Sequence, residues 1–200
     1  MVNKIKGDYN ELKSLIGNYK KVLVTGPHGS GNKIMAKIIA HDFKLLEGRG
    51  EYAWSLDDYN SDDGIVTFYK KYKDKEYVFF GPSQSGHLQR ITENLKDVLV
   101  IFMYKDIESI ESYTERNPFV KDESHKYEWK LYRRIVMEEY PESVKYLSQS
   151  IEQLTYYLWE NHQRELIPNW LEIKHSSLEG HELWIGKEER KDFKEWQTTL

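Results

Sequence analysis

Lys-Lys-Val-Leu-Val-Thr-Gly-Pro-His-Gly-Ser-Gly-Asn-Lys-Ile-Met-Ala-Lys-Ile-Ile-Ala-His-Asp-Phe, residues 20–43, is the stretch on which the fold of this chain turns. Val22, Leu23 and Val24 form an apolar, partly β-branched run of the kind a buried parallel strand carries. Gly26, Gly29 and Gly31 follow, and then Ile34, Met35, Ile38, Ile39 and Phe43 recur at helical spacing. Strand, glycine loop and helix N-terminus together make an anion cradle, because backbone N–H groups converge there and the helix macrodipole adds partial positive charge. The predicted guest is a phosphate or sulfate group.

The Walker A spacing, Gly-x-x-x-x-Gly-Lys-Ser/Thr, would put lysine directly after Gly31 and a hydroxyl after the lysine. Here the order is Gly31, Asn32, Lys33, Ile34. The lysine comes one position late, on a different face of the helix, and Ile34 has no oxygen to offer Mg²⁺. An ordinary nucleotide triphosphatase is disfavoured on that ground. A tight strand-to-helix turn that uses glycine only for its geometry is the plain alternative.

The chain has 200 residues, enough for one domain with a sizeable core, read as residues 1–200. Its 39% apolar and 14% aromatic content suits a globular fold, while 31% charged residues imply a strongly polar surface. The net charge of −4 gives no reason to expect a nucleic-acid partner. There is no cysteine, which excludes disulfides, thiolate catalysis and cysteine-ligated metal sites. The N-terminal residues lack an apolar signal core and no run approaches the length of a membrane span, so a soluble cytoplasmic protein without a membrane partner is expected.

Along the chain, residues 3–17 carry Ile5, Leu12, Leu15 and Ile16 among charges and read as a short amphipathic lead-in. Leu45 to Asn60 reads as a loop, followed by Asp62 and Asp63; with Asp57 and Asp58 these form an acidic cluster that suits a solvated loop or a catalytic edge. Residues 76–80 read as a strand closed by Gly81-Pro82, with a helix opening at Ser83-Gln84-Ser85-Gly86-His87 and running to about Leu95. Asp97 to Tyr104 is the clearest buried strand, and Asp106 is placed to cap the next helix. Strand and helix alternate, which predicts an α/β fold with a parallel sheet in three layers. Its ligand edge would carry residues 26–33, 81–87 and 104–112. Residues 126–166 read as nearly all helix, divided at Pro141, with an aromatic stripe that suits core packing; residues 170–174 read as a last strand.

Pro27, His28, Gly29, Ser30, Gly31, Asn32 and Lys33 resemble the loop with which P-loop sulfotransferases hold the 5′-phosphosulfate end of PAPS. Pro27, Ser30 and Gly31 match in place; Gly29 stands where that family has a basic residue, and Asn32 and Lys33 stand where it has hydroxyls. The family grips the 3′-phosphate with a basic residue after a later strand and a serine about two turns on, for which Lys105 with Ser109 or Ser112 is similar, Arg116 lying close by in sequence. Arg190, Lys191, Trp196, Thr198 and Thr199 resemble the family's closing stretch, without its glycine. The likeness is to the short sulfotransferase-like proteins of phage and marine bacterial genomes.

What this resemblance implies is a three-layer P-loop fold with a mostly helical C-terminal half. It implies PAPS as donor, PAP as spent cofactor, no metal, and a small-molecule or glycan acceptor with a hydroxyl or amine. Such transfer needs a base for the acceptor and positive groups at the leaving phosphate. His87 is the first candidate base, since histidine titrates near neutrality; Asp57 or Asp58 competes, and Lys33 is the candidate cation. A P-loop kinase of a small phosphate acceptor and a non-catalytic nucleotide-binding module are the alternatives, the latter because Gly29 is neutral.

Overall fold

Strand β2 (Lys21–Thr25) lies inside the sheet, and its side chains alternate between two buried faces. The computed structural model describes residues 5–49, 74–81, 85, 88–95, 97–116, 137–138, 140–146 and 150–184. Around β2 stand β1 (Ile5–Gly7), β3 (Leu46–Arg49), β4 (Tyr77–Phe80), β5 (Val98–Tyr104) and β6 (Trp170–Lys174), in the order β1-β6-β5-β2-β4-β3. Every neighbouring pair is parallel. The expected parallel pairing of the strands around 21–26, 76–80 and 98–104 is what the registers give: Val22 stands between Val78 and Leu99.

A strand buried on both sides is hydrophobic along its length, as β4 and β5 are, and as β2 is through Val22, Leu23 and Val24 between Lys21 and Thr25 at its ends. On one face Val22, Val24, Leu99, Ile101 and Met103 pack with Leu12 and Ile16 of α1 (Tyr9–Ile16) and with Met35, Ile38 and Ile39 of α2 (Asn32–Phe43). On the other, Leu23, Val100 and Phe102 pack with Leu88 and Ile91 of α3 (Leu88–Asn94), Ile110 of α4 (Ile107–Arg116) and Tyr156 of α5 (Ile151–Leu158). The connections running from β1 through β2 to β3 thus carry their helices on one face, while those from β4 through β5 to β6 carry theirs on the opposite face. The direction of winding reverses between β2 and β5, and in open α/β sheets that reversal opens a crevice at the strands' carboxyl ends.

After α5 the chain widens into a π-helical turn, Trp159–Gln163, in which the N–H of Arg164 reaches back to the carbonyl of Trp159. The Trp159 ring stacks on Phe102 at 4.4 Å between centroids and meets Trp170 edge-on at 5.2 Å. Its indole N–H donates to Glu172 Oε1 at 2.9 Å, giving a buried carboxylate one of the partners it requires. Arg164 supplies another at 3.5 Å.

Two expectations need correction. Leu46–Arg49, read within a loop, is the edge strand β3, paired from Leu46 with Tyr77 to Arg49 with Phe80. It escaped notice because an edge strand is paired on one side only and Leu46 is left exposed, so no apolar pattern marks it. The lead-in at residues 3–17 holds strand β1 as well as helix α1, with Ile5–Gly7 paired to Leu171–Ile173. Within 126–166, the described residues Pro141–Tyr146 and Ile151–Leu166 are helical, the first as a 3-10 turn; residues 126–136, 139 and 147–149 lie outside the described residues.

Candidate active site at the carboxyl edge of the sheet

The loop from Gly26 to Gly31 joins the end of β2 to the start of α2, beside the switch point. Gly26 takes φ +137°, and a Cβ there would fall 2.8 Å from the carbonyl oxygen of Met103 on β5. Gly31 takes φ +96°, and a Cβ there would fall 2.4 Å from Cδ2 of His175. Both positions exclude a side chain by backbone conformation and by contact. Tyr113 of α4 borders the loop on another side, its ring lying 2.7 Å from where a Cβ on Gly29 would stand.

The loop is fastened from within by Ser30 and Asn32. The Ser30 hydroxyl donates to the Pro27 carbonyl at 2.7 Å, and the Ser30 N–H reaches the same oxygen at 3.2 Å. The Asn32 side-chain amide donates to the carbonyls of Gly26 at 2.9 Å and Pro27 at 3.3 Å. Its oxygen stands 3.2 Å from Ser30 Oγ. Asn32 is buried and turned into the loop, whereas Lys33, one residue on, is exposed. Positive φ recurs at Gly26, Gly29 and Gly31, and the carbonyls of Gly26 and Pro27 are taken up by Asn32 and Ser30.

Thr25 ties the loop to the next strand. Its hydroxyl donates to the Gly81 carbonyl at 3.0 Å, so in the 2.7 Å contact between Thr25 Oγ1 and Ser85 Oγ the Ser85 hydroxyl is the donor. The side-chain amide of Gln163, from the π-helical turn, donates to the Ser85 carbonyl.

Across the crevice, β5 ends at Tyr104 and the chain continues through Lys105. The Tyr156 hydroxyl receives the Lys105 N–H at 3.0 Å and donates to the Lys105 carbonyl at 2.7 Å. Burial pushes the Tyr156 phenol well above its usual range, so it remains a donor. Asp106 caps α4 by accepting the Ser109 N–H at 2.7 Å, as its position before the helix predicts. Hydrogen bonds from the Ser109 hydroxyl and then its N–H hold the Asp106 carboxyl below the usual carboxylate range. Arg116 Nε donates to the Ser112 carbonyl at 2.9 Å.

The structure therefore brings residues 26–32, Lys105 and the first turns of α4 to one edge. Asp57, Asp58, His87, Arg190 and Lys191 lie outside the described residues, as do Trp196, Thr198 and Thr199. Tyr113, Tyr156, Gln163 and His175 went unrecognised as parts of this edge; each comes from a distant segment, and only the topology reveals its neighbour.

No family model matches the chain, and no curated protein sequence does. Among solved structures, shikimate kinase from Acinetobacter baumannii in complex with shikimate aligns with 94% of this chain and 96% of its own, at 14% identity and a TM-score of 0.45. An uncharacterized protein from Eubacterium ventriosum aligns with 77% of this chain and 88% of its own, at 13% identity and a TM-score of 0.39. The six-stranded parallel sheet with helices on both faces, and the glycine loop between β2 and α2 beside the switch point, make this an α/β protein.

Proposed function

We propose that the Gly26–Asn32 loop binds a phosphate of a nucleotide and that the chain is a PAPS-dependent, sulfotransferase-like protein. The observation that carries this reading is the junction of the loop with β5: Gly26 lies against the Met103 carbonyl, two residues before Lys105. Two anion-binding corners, a backbone cradle and a lysine at the adjacent strand end, suit a nucleotide bearing phosphates at two separated places. Asn32 and Lys33 supply no hydroxyl for a metal, which favours phosphate binding by N–H groups and side-chain cations alone.

In this reading, residues 27–33 hold the 5′ end of the nucleotide, and Lys105, Ser109 or Ser112, Arg190 and Lys191 hold the 3′-phosphate. His87, or Asp57 or Asp58, takes the proton from the acceptor hydroxyl or amine as its oxygen or nitrogen bonds to sulfur. The bond from sulfur to the phosphate oxygen breaks, and the negative charge left on that phosphate is met by Lys33 and the loop. A P-loop kinase of a small phosphate acceptor is the second reading, favoured by the all-parallel sheet with its loop at the switch point, which serves phosphoryl transfer equally well. The neutral Gly29 beneath Tyr113 suits a module that binds a nucleotide without turning it over.

Calorimetry with PAP, PAPS, ATP and GTP, each with and without Mg²⁺, separates these readings. PAP binding without Mg²⁺, and more tightly than ATP, is the expected result. Tight Mg²⁺-dependent ATP binding with no measurable PAP binding would replace the sulfotransferase reading with the kinase.

A further inference from the structure

About 15 Å along α2 from Asn32, at ~1.5 Å per residue, His41 and Asp42 meet His181 from the segment that follows β6. The Asp42 carboxylate is divided between two environments. Oδ2 accepts the Tyr9 hydroxyl at 2.6 Å and pairs with Lys13 Nζ at 2.6 Å, while Oδ1 faces His41 Nδ1 at 3.1 Å and His181 Nε2 at 3.3 Å. Burial alone would favour the neutral acid, but the bonds from Lys13, Tyr9, His41 and His181 together hold the carboxyl well below its usual range.

We propose that His41, Asp42 and His181 form a binding site for a divalent transition-metal ion of the zinc type. One ligand atom from each lies within 4.8 Å of the other two. Tetrahedral bonds of about 2.0–2.1 Å set ligand atoms roughly 3.3 Å apart. Both spacings around Oδ1 are close to that edge before any ion arrives. Two imidazoles and a carboxylate select zinc, cobalt or nickel over magnesium and calcium, which prefer oxygen ligands throughout.

The surroundings are those of an outer ligand sphere. His41 Nε2 lies 3.3 Å from Glu182 Oε1, the carboxylate–imidazole pairing that fixes a ligating ring's tautomer and leaves Nδ1 for the metal. Tyr9 and Lys13 orient Asp42 through the oxygen turned away from the histidines. His181 Nδ1 accepts the Leu183 N–H at 3.1 Å. Ligation through Nε2 moves the ring proton to Nδ1 and exchanges that single bond for one to water. The ion would clip α2 to residues 175–184, the segment in which His175 borders Gly31 and meets Trp184 edge-on. Such a site steadies one wall of the glycine loop without touching its ligand.

The test is a titration of Co²⁺ into the full chain, freed of any affinity tag and stripped with a chelator, followed by visible absorption. The expected result is a tetrahedral Co²⁺ spectrum that saturates at about one equivalent. It should weaken more than tenfold in both His181→Ala and His41→Ala, and about tenfold or more in Glu182→Gln. Zn²⁺ should raise the thermal midpoint of the wild type and leave that of His181→Ala unmoved. His41 is 43% exposed, so His41→Ala carries the test should His181→Ala fail to fold. Absence of the spectrum in the wild type, or a spectrum unchanged in the variants that fold, would overturn the proposal.

Discussion

The phenol of Tyr156 occupies both backbone hydrogen-bonding groups of Lys105, receiving its N–H at 3.0 Å and donating to its carbonyl at 2.7 Å. One side chain from α5 thus closes the end of β5 at the point where the sheet changes its direction of winding.

Tyr156→Phe keeps the ring against Phe102 and removes only the hydroxyl. Part-buried N–H and carbonyl groups then lose a partner, and the expected cost is about 1–3 kcal/mol, read by urea denaturation. If Lys105 grips a phosphate, PAP affinity should fall in the same variant. Unchanged stability would show that the clamp is idle.

Gly26→Ala and Gly31→Ala should both destabilise the fold, by roughly 1–3 kcal/mol each from backbone conformation alone. Gly26 should be the less tolerant, since its added Cβ meets a backbone carbonyl at 2.8 Å, whereas the Cβ at Gly31 meets the ring of His175. A side chain can turn aside. Double substitution with His175→Ala should recover part of the loss at Gly31 and none at Gly26.

Asn32→Asp preserves shape while removing the donor to the Gly26 and Pro27 carbonyls and adding a negative charge inside the loop. Anion binding should weaken at least tenfold, about 1.4 kcal/mol or more, in calorimetry with PAP. Asn32→Ala should do less, because it opens the loop without repelling its guest. Equal affinity of Asn32→Asp and the wild type would mean that the anion sits elsewhere.

Stability should decline in alkali. Burial raises the phenols of Tyr77 and Tyr156, and burial followed by Glu160 pushes Tyr104 up to about 12. A raised folded-state value for a phenol contributes stability that is complete below the ordinary value of about 10 and is lost as pH climbs through the folded value. The urea midpoint should therefore drop as pH rises from about 10 towards about 12. In Tyr104→Phe that drop should be shallower. A midpoint that rises over this interval would contradict the assignment.

The interior of the sheet was legible because burial on both faces leaves its mark on every residue: Val22-Leu23-Val24 and Val98 to Tyr104 could be little else. Its edges were not. β1 is three residues long and β3 carries Glu47, Gly48 and Arg49, so neither offers a run to read. In the site, the glycine loop announced itself through spacing, and Asp106 through its place before a helix. Tyr113, Tyr156 and His175 bore no local sign, because what brings them to the loop is the winding of the sheet. Tyr156 lies in a stretch that reads only as helix; its ring is core, and its hydroxyl has the further task at Lys105.

The turn at Trp159–Gln163 is counted in residues, not in side chains. Its fifth residue per turn sets the rotation between α5, whose Tyr156 holds Lys105, and the segment that delivers Gln163 to Ser85. Removing one residue from α5 ahead of this turn would rotate everything beyond by roughly 100° about the helix axis. Ser85 would lose Gln163, and Glu172 would lose Arg164, although no contacting side chain had been altered.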